Sequence, residues 1–137
     1  MNHLLDVNVL VAWGWRDHAD HERTARWIAK QKKKRGVKLF TSPIPEMGFV
    51  RVSVQRAGGR LTVAEAAEVL RGMLKSLGPI HQFLPDDMPG TEWPGWCATH
   101  SRTTDAHLLA LAGRHGLTLT TLDAGIPGAN FLMGDRA

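Results

Sequence analysis

The chain has 137 residues, 43% of them hydrophobic, and seventeen Lys/Arg against thirteen Asp/Glu give a net charge of +4. That length can bury a single core without staples, and no run approaches the roughly eighteen apolar residues of a membrane-spanning helix. The lone cysteine, Cys97, excludes an internal disulfide, and the N-terminus lacks a secretory leader pattern, so the expectation is a soluble cytoplasmic protein.

In chain order, residues 3–9 read as a short strand whose apolar run turns into a helix through "NVLVAWGW". "HADHERTARWIAKQKKKRG" suits a helix ending at Gly36, with Ala25, Ile28 and Ala29 on its inner side. "VKLFTS" is the second strand. "SPIPEMGFVRVSVQ" is ambiguous: Ser42 and Pro43 make a helix start, while the alternation of Val50, Val52 and Val54 has the period of a strand. Helix is the favoured reading. "TVAEAAEVLRGMLKSLG" is the clearest helix, capped by Thr62, with Val63, Ala66, Ala67, Leu70, Met73, Leu74 and Leu77 on one face and Gly78-Pro79 as its stop. "IHQFL" is a third strand, followed by the Pro/Gly/Trp-rich loop "PDDMPGTEWPGW". "TTDAHLLALAGRHG" reads as a helix buried nearly all round, and "LTLTTL" and "ANFLM" complete the strands. This alternation predicts one domain over residues 1–137 with a mostly parallel sheet covered on both faces.

Charge is unevenly spread. Residues 1–75 carry fourteen basic against seven acidic residues, and residues 76–137 carry three against six. "KQKKKRGVK", residues 30–38, contributes six basic residues and no acid. Such a run reads either as a solvated helix end, where lysines suit the macrodipole, or as a polyanion contact.

The acids at strand ends carry the chemistry. Asp6 interrupts an aliphatic run, where an ionised carboxylate costs several kcal/mol (order of magnitude) unless a partner meets it. Glu46 follows the second strand, Asp105 opens the last helix and Asp123 follows "LTLTTL" directly. In open α/β sheets ligands gather beyond the carboxyl ends of the strands, so four carboxylates remote in sequence can converge there. Taken singly, each has a plainer role: a satisfied structural aspartate, a solvated first-turn acid, a dipole partner beside Thr103 or Thr104, a turn residue. One divalent-cation site accounts for all four. Oxygen ligands suit Mg²⁺, with Mn²⁺ as a substitute.

Other arrangements fit less well. "HADHE" is not a zinc-binding H-E-x-x-H sequence, no phosphate-binding Gly-rich loop is present, and Asn8 stands where an aspartyl-nucleophile phosphatase needs a second acid. Trp93 and Trp96 either stack bases or anchor their own loop.

With "LLDVNVLVA", "IPEMGFVR", "TTDAHLLALA" and "LTLTTLDAGI" in this order, the chain resembles the PIN-domain nucleases, and more closely the VapC-type toxins of toxin–antitoxin modules. The resemblance implies a three-layer α/β/α domain and a Mg²⁺-dependent endoribonuclease that leaves 5′-phosphate and 3′-hydroxyl ends. It places Asp6, Glu46, Asp105 and Asp123 on the family's four acidic positions, with Asn8 and Thr121 supporting the pocket. Asp6, Asp105 and Asp123 would hold the metal, and Glu46 would orient or deprotonate the attacking water or help hold a second ion. It also implies an RNA substrate, a homodimer, no membrane association and a cognate VapB-type antitoxin. Arg51 and Lys32, Lys33 and Lys34 are the candidates for RNA contact. A PIN-like nuclease of RNA processing or repair without an antitoxin, or a non-catalytic binding module, are the alternative readings.

Overall fold

The computed structural model describes residues 1–132. Five parallel strands form its sheet: β1 (Asn2–Leu5), β2 (Lys38–Thr41), β3 (His81–Phe83), β4 (Thr118–Thr121) and β5 (Asn130–Phe131), in the spatial order β3-β2-β1-β4-β5. The register pairs His3 with Leu39 on one side and with Thr118 on the other, so all strand carboxyl ends share one rim. Met133, at the end of the expected last strand, lies outside the described residues.

Side-chain alternation along the strands splits the core in two. Leu5 and Leu39 face α1 (Val7–Gly14), α2 (His21–Lys32), α3 (Pro43–Arg56) and α4 (Val63–Leu77), meeting Val9, Leu10, Ile28, Phe49 and Leu70. Leu4 and Leu119 face the other way and pack with Leu108, Leu111 and Ala112 of α5 (Thr103–Arg114). The result is the expected three-layer α/β/α arrangement.

The ambiguous segment is helical: Ser42 is extended at the N-cap and Pro43 begins α3. Its valine alternation has a tertiary cause. Val50 and Val54 line a groove against α4, whereas Val52 faces a separate cleft on the other side. A helix with two apolar contacts thus imitates the period of a strand.

Three expected faces are shifted. Ala29 is exposed, because α2 turns Thr24, Ile28 and Gln31 inward at helical spacing. Val63 is 65% exposed at the first position of α4, on the lip of the α3–α4 groove, although the Thr62–Glu65 capping box forms and Gly78 at φ 62° ends the helix. Helix α5 is not buried all round: it covers one sheet face and leaves Ala110 exposed.

Candidate active site

The β1–β4 boundary is where the chain's path across the sheet reverses, and that position opens a crevice at the carboxyl rim. Asp6 leaves β1 into it. The backbone N–H of Asp6 still donates to the Thr120 carbonyl at 3.0 Å, extending the sheet, while its side chain caps α1. Only 4% of Asp6 is exposed. One carboxylate oxygen accepts from the Val7 N–H at 2.7 Å and the other from the Thr121 hydroxyl at 2.8 Å. Burial nevertheless pushes the Asp6 carboxyl above its ordinary value; these two hydrogen bonds oppose the rise and the charge of Asp123 adds to it.

Thr121 and Asn8 form the frame behind this carboxylate. Thr121 Oγ1 accepts from the Asp123 N–H at 3.0 Å and from Asn8 Nδ2 at 3.2 Å, and Asn8 Oδ1 accepts from the Leu122 N–H at 3.0 Å. The turn after β4 is thereby stitched to the first turn of α1, which fixes Asp123 relative to Asp6. Asp123 in turn accepts from the Gly125 N–H at 2.8 Å.

Asp105 enters from the first turn of α5. Its carboxyl is raised first by burial, then by the charges of Asp6 and Asp123 and by a hydrogen-bonding contact with Asp123, with Arg102 opposing. Asp6, Asp105 and Asp123, from three remote segments, therefore share one electrostatic neighbourhood. Asp6 and Asp105 line a cleft of about 420 Å³ together with Asn8, His18, Arg51 and Arg56.

Glu46 occupies the same rim but a different setting. The Thr41 hydroxyl donates to its carboxylate at 2.6 Å and accepts from His81 Nε2 at 2.7 Å, a chain that requires the proton on that nitrogen. Glu46 lines the apolar α3–α4 groove of about 550 Å³, beside Met47 and Val50. Arg51 borders both openings. Lys32, Lys33 and Lys34 lie elsewhere: the segment leads into Lys38, which pairs with Asn2 at the amino rim of the sheet.

Arg102 is the residue that sequence reading missed. Its Nη1 lies 3.9 Å from Asp105 Oδ2 and 3.9 Å from Asp123 Oδ2, and its Nη2 donates to the Gly125 carbonyl. An arginine three residues before a helix-opening acid was the available signal. Trp96 packs on the α5-side core and lies under the Arg102 guanidinium, 5.3 Å to the ring centroid, so it anchors its loop; Trp93 is 43% exposed. His107 with Asp86, at 2.7 Å, and His115 with Asp87, at 2.9 Å, tie the same loop to α5. The "HADHE" histidines face backbone: His21 Nδ1 meets the Ala12 carbonyl and His18 Nδ1 accepts from the Asp20 N–H.

The donor set is hard oxygen throughout, and two raised, mutually repelling carboxylates are the environment a divalent cation relieves. Among the described residues, no group of three His, Cys, Asp or Glu side chains is gathered closely enough to hold a metal ion as it stands. Oxygen donors of this kind would suit a hydrated divalent ion, whose own waters fill part of its coordination.

Comparison with known proteins shows the family of this chain. A family profile for the PIN domain matches residues 3–132. Ribonuclease VapC39 of Mycobacterium tuberculosis is 39% identical over 132 residues, 92% of this chain and 91% of its own length. Ribonuclease VapC38 of the same organism is 39% identical over 127 residues, 90% of this chain and 86% of its own. Among solved structures, M. tuberculosis VapC20, a sarcin–ricin loop cleaving toxin, superposes with a TM-score of 0.62 at 17% identity, covering 94% of this chain and 95% of that one. PAE2754 from Pyrobaculum aerophilum gives 0.54 at 23% identity, covering 94% and 82%. At such identities these two likenesses speak for the fold alone. The profile and the ribonuclease relatives establish that the chain belongs to the PIN-domain family, within its VapC-type branch.

Proposed function

We propose that the protein is a Mg²⁺-dependent endoribonuclease toxin that hydrolyses RNA phosphodiesters to 5′-phosphate and 3′-hydroxyl products and so inhibits translation. The observation that carries this reading is the meeting of Asp6, Asp105 and Asp123 at one sheet rim, where burial and then the charges of Asp6 and Asp123 raise Asp105. The ribonuclease names of its VapC relatives supply the substrate class.

When bound, Mg²⁺ (or Mn²⁺ in its place) would offset carboxylate–phosphate repulsion and acidify a coordinated water. Asp6, Asp105 and Asp123 would hold it, in part through water. Thr121 and Asn8 keep the Asp6 carboxylate aimed and prevent it from turning into the core. Glu46 is the residue assigned to orient or deprotonate the attacking water, or to help hold a second ion, while Thr41 steadies one of its carboxylate oxygens. Arg51, exposed on the cleft wall, would meet a phosphate of the entering strand. The same reading includes a VapB-type antitoxin that blocks the cleft, a homodimer and a cytoplasmic location. No helix among the described residues is long and apolar enough to cross a membrane.

The test is cleavage of structured RNA by the pure protein with Mg²⁺, with and without chelator, alongside Asp6→Asn and Asp105→Asn. The expected result is 5′-phosphorylated fragments only from the wild type with metal. Cleavage that persists in chelator or in both variants refutes the mechanism. Co-expression with the small protein encoded beside it tests the antitoxin: full activity of the co-purified complex counts against it.

A further inference from the structure

Among the described residues, Arg102 is the cation that bridges two of the site carboxylates. Its Nη1 is equidistant, at 3.9 Å, from Asp105 Oδ2 and Asp123 Oδ2. The side chain is held there from two further directions. Its Nη2 donates to the Gly125 carbonyl, in a turn that the Gly125 N–H bond to Asp123 fixes, and the Trp96 ring lies under its guanidinium. A Cβ on Gly125 would stand 3.2 Å from Arg102 Nη1 and 3.3 Å from Asp123 Oδ1, so the absence of a side chain leaves the seat its room. The side chain is 29% exposed, which leaves the guanidinium a way out toward solvent.

At 3.9 Å the contacts are charge–charge rather than close hydrogen bonds, and the point between two carboxylate oxygens is where a hydrated divalent ion also gains most. Two cations cannot share it. We propose that Arg102 is a positioning residue that serves as the resident cation of the cleft, keeping Asp105 and Asp123 together until a divalent ion displaces it. The affinity of the cleft for its ion is then set by competition with a residue of the same chain. The anchoring on Trp96 keeps the displaced guanidinium at the cleft's edge, where a phosphodiester arrives. This inference rests on the divalent-ion reading proposed above.

The experiment measures Mn²⁺ binding by electron paramagnetic resonance, and thermal unfolding in chelator and in saturating Mn²⁺, for wild type and Arg102→Gln. Arg71→Gln, on the exposed face of α4 and paired there with Glu68, controls for loss of one positive charge. Arg102→Gln should bind Mn²⁺ about tenfold more tightly, unfold at a lower temperature than wild type in chelator, and recover that difference in Mn²⁺. Arg71→Gln should bind as wild type does. A merely structural arginine would lower the unfolding temperature equally in both conditions without tightening the ion. Equal or weaker Mn²⁺ binding by Arg102→Gln, with wild type binding normally, overturns the proposal alone. Absence of Mn²⁺ binding in wild type and variant alike overturns the divalent-ion reading, and this inference with it.

Discussion

The Thr121 hydroxyl donates to Asp6 Oδ2 at 2.8 Å across a sequence separation of 115 residues, and the same oxygen accepts from the Asp123 N–H at 3.0 Å. One fully buried hydroxyl thus joins the last residue before α1 to the turn after β4. Thr121→Val keeps the shape and removes both bonds, leaving a buried carboxylate short of a donor. Unfolding in denaturant should show a loss of about 1–3 kcal/mol, and Mg²⁺ binding should weaken because Asp123 loses its fixed distance from Asp6. Thr121→Ser should retain most of both. A Val variant as stable as wild type would mean that the hydroxyl does not support the site.

The pH dependence of stability separates groups of opposite sign. Burial, above all, raises the Asp6 and Asp105 carboxyls over their ordinary value of 3.8, so the native state binds more protons than the unfolded chain in that window. Their contribution is favourable at low pH and is lost as pH rises through the folded values, leaving the metal-free protein burdened at neutrality. Asp6→Asn should therefore raise the neutral-pH Tm in chelator by about 2–4 °C while abolishing any gain on adding Mg²⁺. His3 acts the other way. Buried against Trp27 and bonded to Thr120 Oγ1 at 2.8 Å, its imidazole is lowered from 6.5 to about 4, chiefly by burial. Its contribution is present above pH 6.5 and is lost as pH falls toward 4. Denaturation midpoints of His3→Gln between those limits should change less with pH than those of wild type.

Much of the rim was legible because a charge inside an aliphatic run has few explanations. Asp6 betrays itself among Leu4, Leu5, Val7 and Val9, and Asp123 directly follows a strand whose threonines point to both sides. The helical nature of residues 43–56 was harder, since Val50, Val52 and Val54 serve a groove and a cleft at once and periodicity assumes one buried face. Ala29 and Val63 misled for the complementary reason: an apolar residue at helical spacing is buried only where another element covers it. Arg102 lay beyond pattern reading, because its meaning depends on Asp123, twenty-one positions later, being folded back against it. The setting of Glu46 was equally hidden, as it is decided by His81 through Thr41.

Gly48 tests how closely the site depends on helix packing. A Cβ there would lie 2.6 Å from Val7 Cγ2, and α1 and α3 are held against one another at that point. Val7 follows Asp6 and supplies the N–H that its carboxylate accepts. Gly48→Ala must push α1 away from α3, at a cost of about 1–3 kcal/mol, and should lower RNA cleavage more than this loss of stability explains at a temperature where the variant remains folded. Val7→Ala makes room for the new methyl and should recover part of the activity in the double variant. Additive losses in that double variant would show that the contact does not position Asp6.

The basic residues divide into those near the cleft and those across the sheet. Arg51 lines the cleft, whereas Lys32 donates to the Ser76 carbonyl at 3.1 Å and Lys38 to the Pro79 carbonyl at 2.9 Å, at the amino rim where α2 and α4 end. Four-residue strands separate the two rims by about 13 Å of sheet, more than the Debye length at physiological salt, about 8 Å. Lysines at helix carboxyl ends are favoured there by the macrodipole alone. On a short RNA oligonucleotide that reaches only the cleft, Arg51→Ala should raise KM about five- to tenfold, with kcat less affected. Lys33→Glu/Lys34→Glu should change kcat/KM on that substrate by less than about twofold. On a long structured RNA, a large loss in the double lysine variant that vanishes at high salt would assign the amino rim a share in holding the substrate. The same small change on both RNAs would leave Lys33 and Lys34 as solvated residues at the end of α2.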